Sequence, residues 1–481
     1  MRDQNPQSIS PLHVSTEEFR QVAEQLVSSC AALLESLETR PAFPTHVSGA
    51  ITEETFREPL PFKGMGGAAL ASIASLVDQS RVPSPRFFGY VFGSGDPIAA
   101  LGDLLASVLN QNVTAWRSAP AAVTIERTVV AWLAEAIGCA GFAGSLCGGG
   151  SSANLMGLAM AREAKAAANQ DGAQPGVIYT STEAHMSIAK AAALLGLGHK
   201  SNRFVSVQDD FRMDVGALAR AIDEDVAVGK RPIAVVATAG TVNTGAIDPL
   251  AEVAEVAHSR GAWFHIDGAY GALAAIAVPE KFRGLEQADS LSLDPHKWLY
   301  QPADCGCLLY KDPGWARVAF SHSGDYARPL SEDPVEGFAF FEESMELSRR
   351  FRALKLWLSL RFHGIEAFRA SILKDLRHAE LLRAAIERQP ALELLAIGQL
   401  SAVCFRFVGK PRMMDEAELD RINSRILRRV VNERGRVFIS NASIHGKFAL
   451  RACVVNHRST EADIEAVVTE VLAAAVDLGV A

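Results

Sequence analysis

The 481-residue sequence predicts an α/β protein: a mostly parallel sheet flanked by helices, a smaller α+β domain behind it and a helical segment in front. Three observations predict it. Four short apolar runs recur between residues 176 and 294, and stretches of helical spacing separate the earlier ones. The pattern then changes character beyond a long helical segment that ends near residue 388.

In chain order, residues 16–39, TEEFRQVAEQLVSSCAALLESLET, place apolar residues at helical spacing behind a Thr–Glu start signal. A Pro-, Gly- and Ser-punctuated stretch follows, through RVPSPRFFGYVFGSGDP at 81–97, and reads as a boundary with a long structured loop. The runs GVIYTST (176–182), PIAVVATAG (232–240), AWFHIDGAY (262–270) and SLSLD (290–294) read as strands. VGALARAIDEDVAVG (215–229) and LAEVAEVAHSRG (250–261) read as helices between them, and residues 349–388 as one long helical segment leading out. Strand-like runs near 401–408 and 446–455, then an amphipathic helix at 460–478, make the second unit. The expected domains are an N-terminal helical segment (1–83), a large domain (84–365) and a small C-terminal domain (366–481).

Composition narrows the function. Hydrophobic residues make up 49% and charged residues 21%, the proportions of a globular chain with a large core. A net charge of -8 without a basic run argues against nucleic acid as a partner. No segment approaches the roughly 20 apolar residues of a membrane span, and MRDQNPQSIS lacks the apolar stretch of a signal peptide, so a cytoplasmic protein is expected. Seven cysteines are scattered, with only Cys305 and Cys307 close together, so neither a disulfide framework nor a zinc site is expected.

Four polar residues stand at or just beyond the ends of apolar runs: His185, Thr241, Asp267 and Lys297. Ligands of open α/β sheets bind outside the carboxyl ends of the strands, so these four have a common crevice to meet in. Each also has a plainer reading. Lys297, in LSLDPHKWLY, suits a solvated surface; Asp267, in FHIDGAYG, suits a turn before Gly268; His185, in TEAHMS, suits a helix start. His265 and Asp267 share a strand face, which admits a metal pair, but no third ligand stands at suitable spacing and no metal is expected. GSLCGGGSSANLMGLAMAR (144–162) puts glycines and serines ahead of a helix, where backbone N–H groups and the positive helix end suit a phosphate. Taken together, the set meets the needs of pyridoxal 5'-phosphate: an anion cradle, an acid for the ring nitrogen, a stacking group and a lysine that links to the aldehyde.

DPHKW downstream of HIDGAYG, with TEAHMS before both, resembles the group II pyridoxal-phosphate decarboxylases, a family that includes aromatic L-amino-acid decarboxylase and glutamate decarboxylase. The resemblance extends from SPRFFGY (84–90) through SRRFRALKLW (348–357) to GKFALRACVVNHRSTEADI (446–464). It implies the fold type I architecture of pyridoxal-phosphate-dependent transferases, a homodimer with its N-terminal helices wrapped around the partner, and an amino acid substrate. It also implies roles for single residues. Lys297 would link to the cofactor, Asp267 pair with its ring nitrogen, and His185 and Ala269 pack on opposite ring faces. Gly150 and Ser151 would hold the phosphate with His296 close by, and Thr241 would lie near the cofactor and the substrate carboxylate. Tyr326, in AFSHSGDYARP, matches a loop tyrosine that returns a proton to the α-carbon after carbon dioxide leaves, the plainer reading being an exposed loop residue.

Substrate signals diverge. Phe87, Phe88, Tyr90 and Phe92 suit an aromatic pocket or a plain core, and Ser348 sits where plant relatives acting on phenolic amino acids carry serine. Asn112 and Thr114, in NQNVTAW, lean toward the glutamate branch. No arginine stands out for a side-chain carboxylate. An aromatic amino acid is the first expectation; an acidic one, an aldehyde-forming or aminotransferase-like reaction, and a catalytically idle relative are the alternatives. The joint presence of Lys297, Asp267, His185 and Tyr326 argues against idleness.

Overall fold

The computed structural model describes residues 10, 12–322, 332–409 and 415–480. Strands β1 (Ala143–Cys147), β2 (Val177–Ser181), β3 (Asn202–Val205), β4 (Pro232–Thr238), β5 (Trp263–Asp267), β6 (Ser290–Leu293) and β7 (Gly306–Tyr310) form one sheet, in the order β1-β7-β6-β5-β4-β2-β3. The block from β6 to β3 is parallel. β7 runs antiparallel to both neighbours, so that β1 is held at the edge. Strands covered on both faces bury nearly every side chain, which is why β2, β4 and β5 read as continuous apolar runs instead of alternating ones.

Alternation along β5 still sorts its residues. Phe264 and Ile266 join Leu218, Ile222 and Val253 of the helices Val215–Ala227 and Leu250–Ser259 in the main core. Trp263, His265 and Asp267 take the opposite face. There the helix Gly150–Ala166 lies across β4 to β7. Its Gly157 admits the His265 ring, since a Cβ at that position would stand 2.6 Å from Cε1.

The second sheet is antiparallel, β10-β11-β9-β8, built from β8 (Leu392–Ile397), β9 (Ala402–Phe407), β10 (Ser440–Ile444) and β11 (Lys447–Cys453). Helices Ile365–Glu387 and Glu461–Asp477 share its core. That core also takes in Ala42, Phe87 and Phe88, so the segment around residue 87 packs with the second unit before the chain enters the first. Backbone bonds fix it there: Phe88 N–H donates to Phe438 O at 2.8 Å, and Cys453 N–H to Phe88 O at 2.8 Å.

The single helix expected over 349–388 is two helices, Ala353–His363 and Ile365–Glu387, divided by Gly364 in the left-handed region at φ 76°. Residues 349–352 precede them outside the helix, because the buried Arg349 guanidinium is drawn to Glu126 at 2.5 Å and to the carbonyls of Leu146 and Val113. The N-terminal helix, Thr16–Ser36, is capped by Ser15 accepting from Glu18 N–H and buries no residue within the chain. Its Phe19, Leu26, Val27 and Leu34 are exposed, as are Leu101, Leu104, Leu105 and Val108 of the helix Pro97–Leu109. Among the described residues, no helix is long and apolar enough to cross a membrane.

Candidate active site

A cavity of about 520 Å³ opens beyond the carboxyl ends of β4, β5 and β6, walled on its far side by Ser440, Asn441 and Arg451 of the second sheet. Eight of the nine candidates can be placed, and seven of those line it: Gly150, Ser151, His185, Asp267, Ala269, His296 and Lys297. Tyr326 lies outside the described residues.

Lys297 sits in the short helix Pro295–Trp298 that follows β6. Its Nζ is 2.9 Å from Asp294 Oδ2, so it is a partly enclosed ion-pair partner and not a solvated surface charge. Asp294 is buried and also lies 3.6 Å from His296 Nε2, while its Oδ1 has no hydrogen-bond partner. His296 Nδ1 donates to Cys305 O at 2.8 Å, and burial pulls its pKa down, so the neutral ring is favoured.

Asp267 ends β5. Its Oδ1 accepts from Ala269 N–H and from the Ser292 hydroxyl, each at 3.2 Å. The turn reading holds, since one oxygen shapes the turn, and the residue also lines the cavity. His185 likewise does both. It caps the helix Met186–Leu194, its Nδ1 accepting from Ser187 N–H at 3.2 Å, and it walls the cavity. Burial lowers its pKa, with Asp267 acting against that and Lys297 with it.

Gly149 and Gly150 begin the helix Gly150–Ala166 with no side-chain cap, which leaves the terminal N–H groups to an anion. No Cβ fits at Gly150, where it would stand 2.6 Å from the Ala269 Cβ and 2.9 Å from Asp294 Oδ2. A glycine cradle at a helix start, a carboxylate and a lysine around one cavity fit pyridoxal phosphate: Gly150 and Ser151 for its phosphate, Asp267 for its ring nitrogen and Lys297 for its aldehyde.

Thr241 is the exception. Its hydroxyl is wholly buried, 2.9 Å from that of Thr244, and accepts from Ala246 N–H within a turn. Thr238, the last residue of β4 and the register partner of Asp267, lines the cavity instead. The chain turns between the two at Gly240, φ 108°, so Thr241 is carried off the strand end. His265 is no metal ligand either, since Ser290 and Asn154 take both its ring nitrogens.

The aromatic set divides. Phe87 and Phe88 are core, Tyr90 lines the cavity, and the half-exposed Phe92 lies tilted against His296 with ring centroids 6.2 Å apart. Asn112 uses its carboxamide oxygen to accept from Arg349 N–H at 2.8 Å, Thr114 Oγ1 is buried without a partner, and Ser348 is exposed away from the cavity. Sequence reasoning missed Asp294, Thr238, Asn441 and Arg451. Asp294 stands inside the DPHKW motif and Thr238 inside PIAVVATAG; Asn441 and Arg451 had no local signal.

Residues 45–408 match the family model described as the pyridoxal-dependent decarboxylase conserved domain. An aromatic-L-amino-acid decarboxylase from Bacillus atrophaeus is 33% identical over 98% of both chains. An L-2,4-diaminobutyrate decarboxylase from Rhizobium meliloti is 33% identical over 84% of this chain and 81% of its own. Among solved structures, Oryza sativa TDC with PLP and tryptamine superposes with a TM-score of 0.90 at 26% identity, covering 98% of this chain and all of that one. The fold is therefore the type I architecture of pyridoxal-phosphate enzymes. On the length of that match and the identity kept along it, the chain belongs to the pyridoxal-dependent decarboxylases, carboxy-lyases that use pyridoxal phosphate.

Proposed function

We propose that the chain removes carbon dioxide from an aromatic L-amino acid and releases the amine, working as a homodimer. The observation that carries the substrate class is the state of Arg451. Its Nε donates to Asn243 O at 3.1 Å and its Nη1 to Tyr90 O at 3.0 Å, while Nη2 is sealed from solvent with no partner. The guanidinium thus spends two of its three nitrogens tying the segments of Asn243 and Tyr90 to β11, and only Nη2 is left for a substrate carboxylate. Tyr90, Val91 and Val242 offer an apolar wall. Similarity to an aromatic-amino-acid decarboxylase over nearly the whole chain supports the same class.

Pyridoxal phosphate, when bound, supplies the electron sink for the pair left behind by carbon dioxide. In this reading Gly150 and Ser151 would hold the phosphate, Asp267 would keep a negative charge at the ring nitrogen, and Lys297 would hold the aldehyde of the cofactor. His185 and Ala269 close the two ring faces. Tyr326 then returns the proton to the α-carbon. The exposed apolar residues of the N-terminal helix and of Pro97–Leu109 support a partner subunit, because a helix with no buried residue needs a surface to pack on.

A second reading rests on the same arginine. Its charge stays at the cavity wall beside Ser440 and Asn441, which favours an acidic substrate such as glutamate or aspartate. Measuring carbon dioxide and amine release with tryptophan, tyrosine, phenylalanine, glutamate, aspartate and 2,4-diaminobutyrate decides between them. The aromatic substrates should give the highest kcat/KM. A preference for glutamate or aspartate would establish the second reading, and one for diaminobutyrate would sink both.

A further inference from the structure

An unbroken line of hydrogen bonds runs from the buried face of β5 to the cavity. Trp263 Nε1 lies 2.8 Å from Ser290 Oγ, which lies 2.8 Å from His265 Nδ1. His265 Nε2 lies 3.0 Å from Asn154 Oδ1, and Asn154 Nδ2 lies 3.0 Å from Ser187 Oγ. Ser187 Oγ finally lies 2.8 Å from His185 Nδ1. Trp263, His265, Asn154, Ser187 and Ser290 are all buried, with Asn154 and Ser187 at the cavity wall.

The chemistry of the ends sets the direction of every link. The indole N–H donates to Ser290 Oγ, and the remaining links are set from the other end, where the Ser187 backbone N–H fixes His185 Nδ1 as an acceptor, so that the neutral His265 is left to accept from Ser290 at Nδ1. His265 then carries its proton on Nε2 and donates to the Asn154 carbonyl oxygen. That orients the carboxamide, whose NH₂ donates to Ser187 Oγ, and the Ser187 hydroxyl proton turns to His185 Nδ1. At the far end the Ser187 backbone N–H also donates to His185 Nδ1, at 3.2 Å. Two donors therefore converge on that one nitrogen.

We propose that Trp263, Ser290, His265, Asn154 and Ser187 are positioning residues. Their one-way hydrogen-bond chain fixes His185 as a neutral imidazole with its proton on Nε2, the nitrogen turned away from Ser187. His185 thereby offers the reacting groups one donor, suited to an anionic oxygen. The opposite tautomer would set its Nδ1–H against the Ser187 N–H. Burial lowers the pKa of His265 to about 4 and pulls that of His185 down as well, so both rings are neutral near pH 7. The charges facing His185 are Asp267 and Asp294, which favour its cation, and Lys297, which opposes it. This inference rests on the placement of His185 in the active site proposed above.

The test is the protonation state of the ring nitrogens of His185, from long-range ¹H–¹⁵N correlations of histidine-labelled full-length protein with and without cofactor. The His185→Gln variant identifies the signals. At neutral pH the wild type should show Nδ1 unprotonated and Nε2 protonated in both forms. Asn154→Asp replaces the NH₂ donor by an acceptor, so the Ser187 hydroxyl turns away from His185. Its Nδ1 should then gain proton occupancy, kcat/KM should fall about tenfold to a hundredfold, and the acid limb of the pH profile should move to higher pH. Ser187→Ala should cost activity to a similar degree, and Ser187→Thr, which keeps the hydroxyl, should restore both the signature and the rate. A wild-type proton on Nδ1, or an unchanged tautomer in Asn154→Asp, would overturn the inference. A wild type with the expected tautomer and no aromatic decarboxylation would sink the substrate reading alone.

Discussion

Lys297 Nζ and Asp294 Oδ2 stand 2.9 Å apart across one turn of chain, with the carboxylate almost wholly buried. Removing one partner of an enclosed ion pair strands the other charge. In the cofactor-free protein, Lys297→Ala should therefore destabilise, and adding Asp294→Asn should recover part of the loss. A double-mutant cycle by urea unfolding should give a coupling of about 1 to 3 kcal/mol. Additive single effects would mean the pair contributes nothing to stability.

Asp267 lines the cavity and is proposed as the counter-ion of the pyridine nitrogen. Asp267→Asn keeps the shape and the bond from Ala269 N–H but removes the charge. Turnover should fall by orders of magnitude while thermal stability changes little, since each tenfold loss is only about 1.4 kcal/mol of barrier. Near-normal turnover would identify another acid as the ring partner.

Much of this was legible in the sequence because buried parallel strands announce themselves as apolar runs, and their polar end residues then fall at one crevice. That logic located His185, Asp267 and Lys297. It misplaced Thr241 because the last strand residue, Thr238, and the turn threonine look alike until Gly240 is seen to swing the chain. It could not find Arg451 or Asn441, which reach the cavity from a sheet nearly two hundred residues further on, through contacts with no local signal. Asn154 hides in a helix whose small residues advertise packing, and its polar contacts appear only when β5 is laid against it.

Asp375, on the helix Ile365–Glu387, is fully buried and accepts from the Tyr300 hydroxyl at 2.7 Å and from Asn456 N–H at 3.1 Å, with Lys374 nearby and His457 packed against Tyr300. Burial raises its pKa from 3.8 to about 7. Between those values the folded protein holds a proton that the unfolded chain has lost, so stability drains away as pH rises from about 4 to 7 and stays lost above. Asp375→Asn has no such proton to lose. Its melting temperature relative to wild type should be higher at pH 8 than at pH 5. An identical gap at both pH values would show that Asp375 does not titrate in that window.

In the proposed function Tyr326 is the proton donor, and the choice of product would rest on it. A phenol placed beside the α-carbon makes protonation outrun reaction with oxygen, whereas phenylalanine keeps the ring without the proton. Tyr326→Phe should still consume substrate and release carbon dioxide, but in air its product should shift from amine toward aldehyde, ammonia and hydrogen peroxide. Amine at the wild-type rate and ratio would make Tyr326 a bystander.

The proposed covalent role of Lys297 is the most direct point of attack. Borohydride reduction of the cofactor-loaded protein, followed by digestion and mass spectrometry, should place the phosphopyridoxyl mass on the peptide containing Lys297, and Lys297→Ala should carry none. Label on another lysine of the wild type, or on the same peptide of Lys297→Ala, would contradict the assignment.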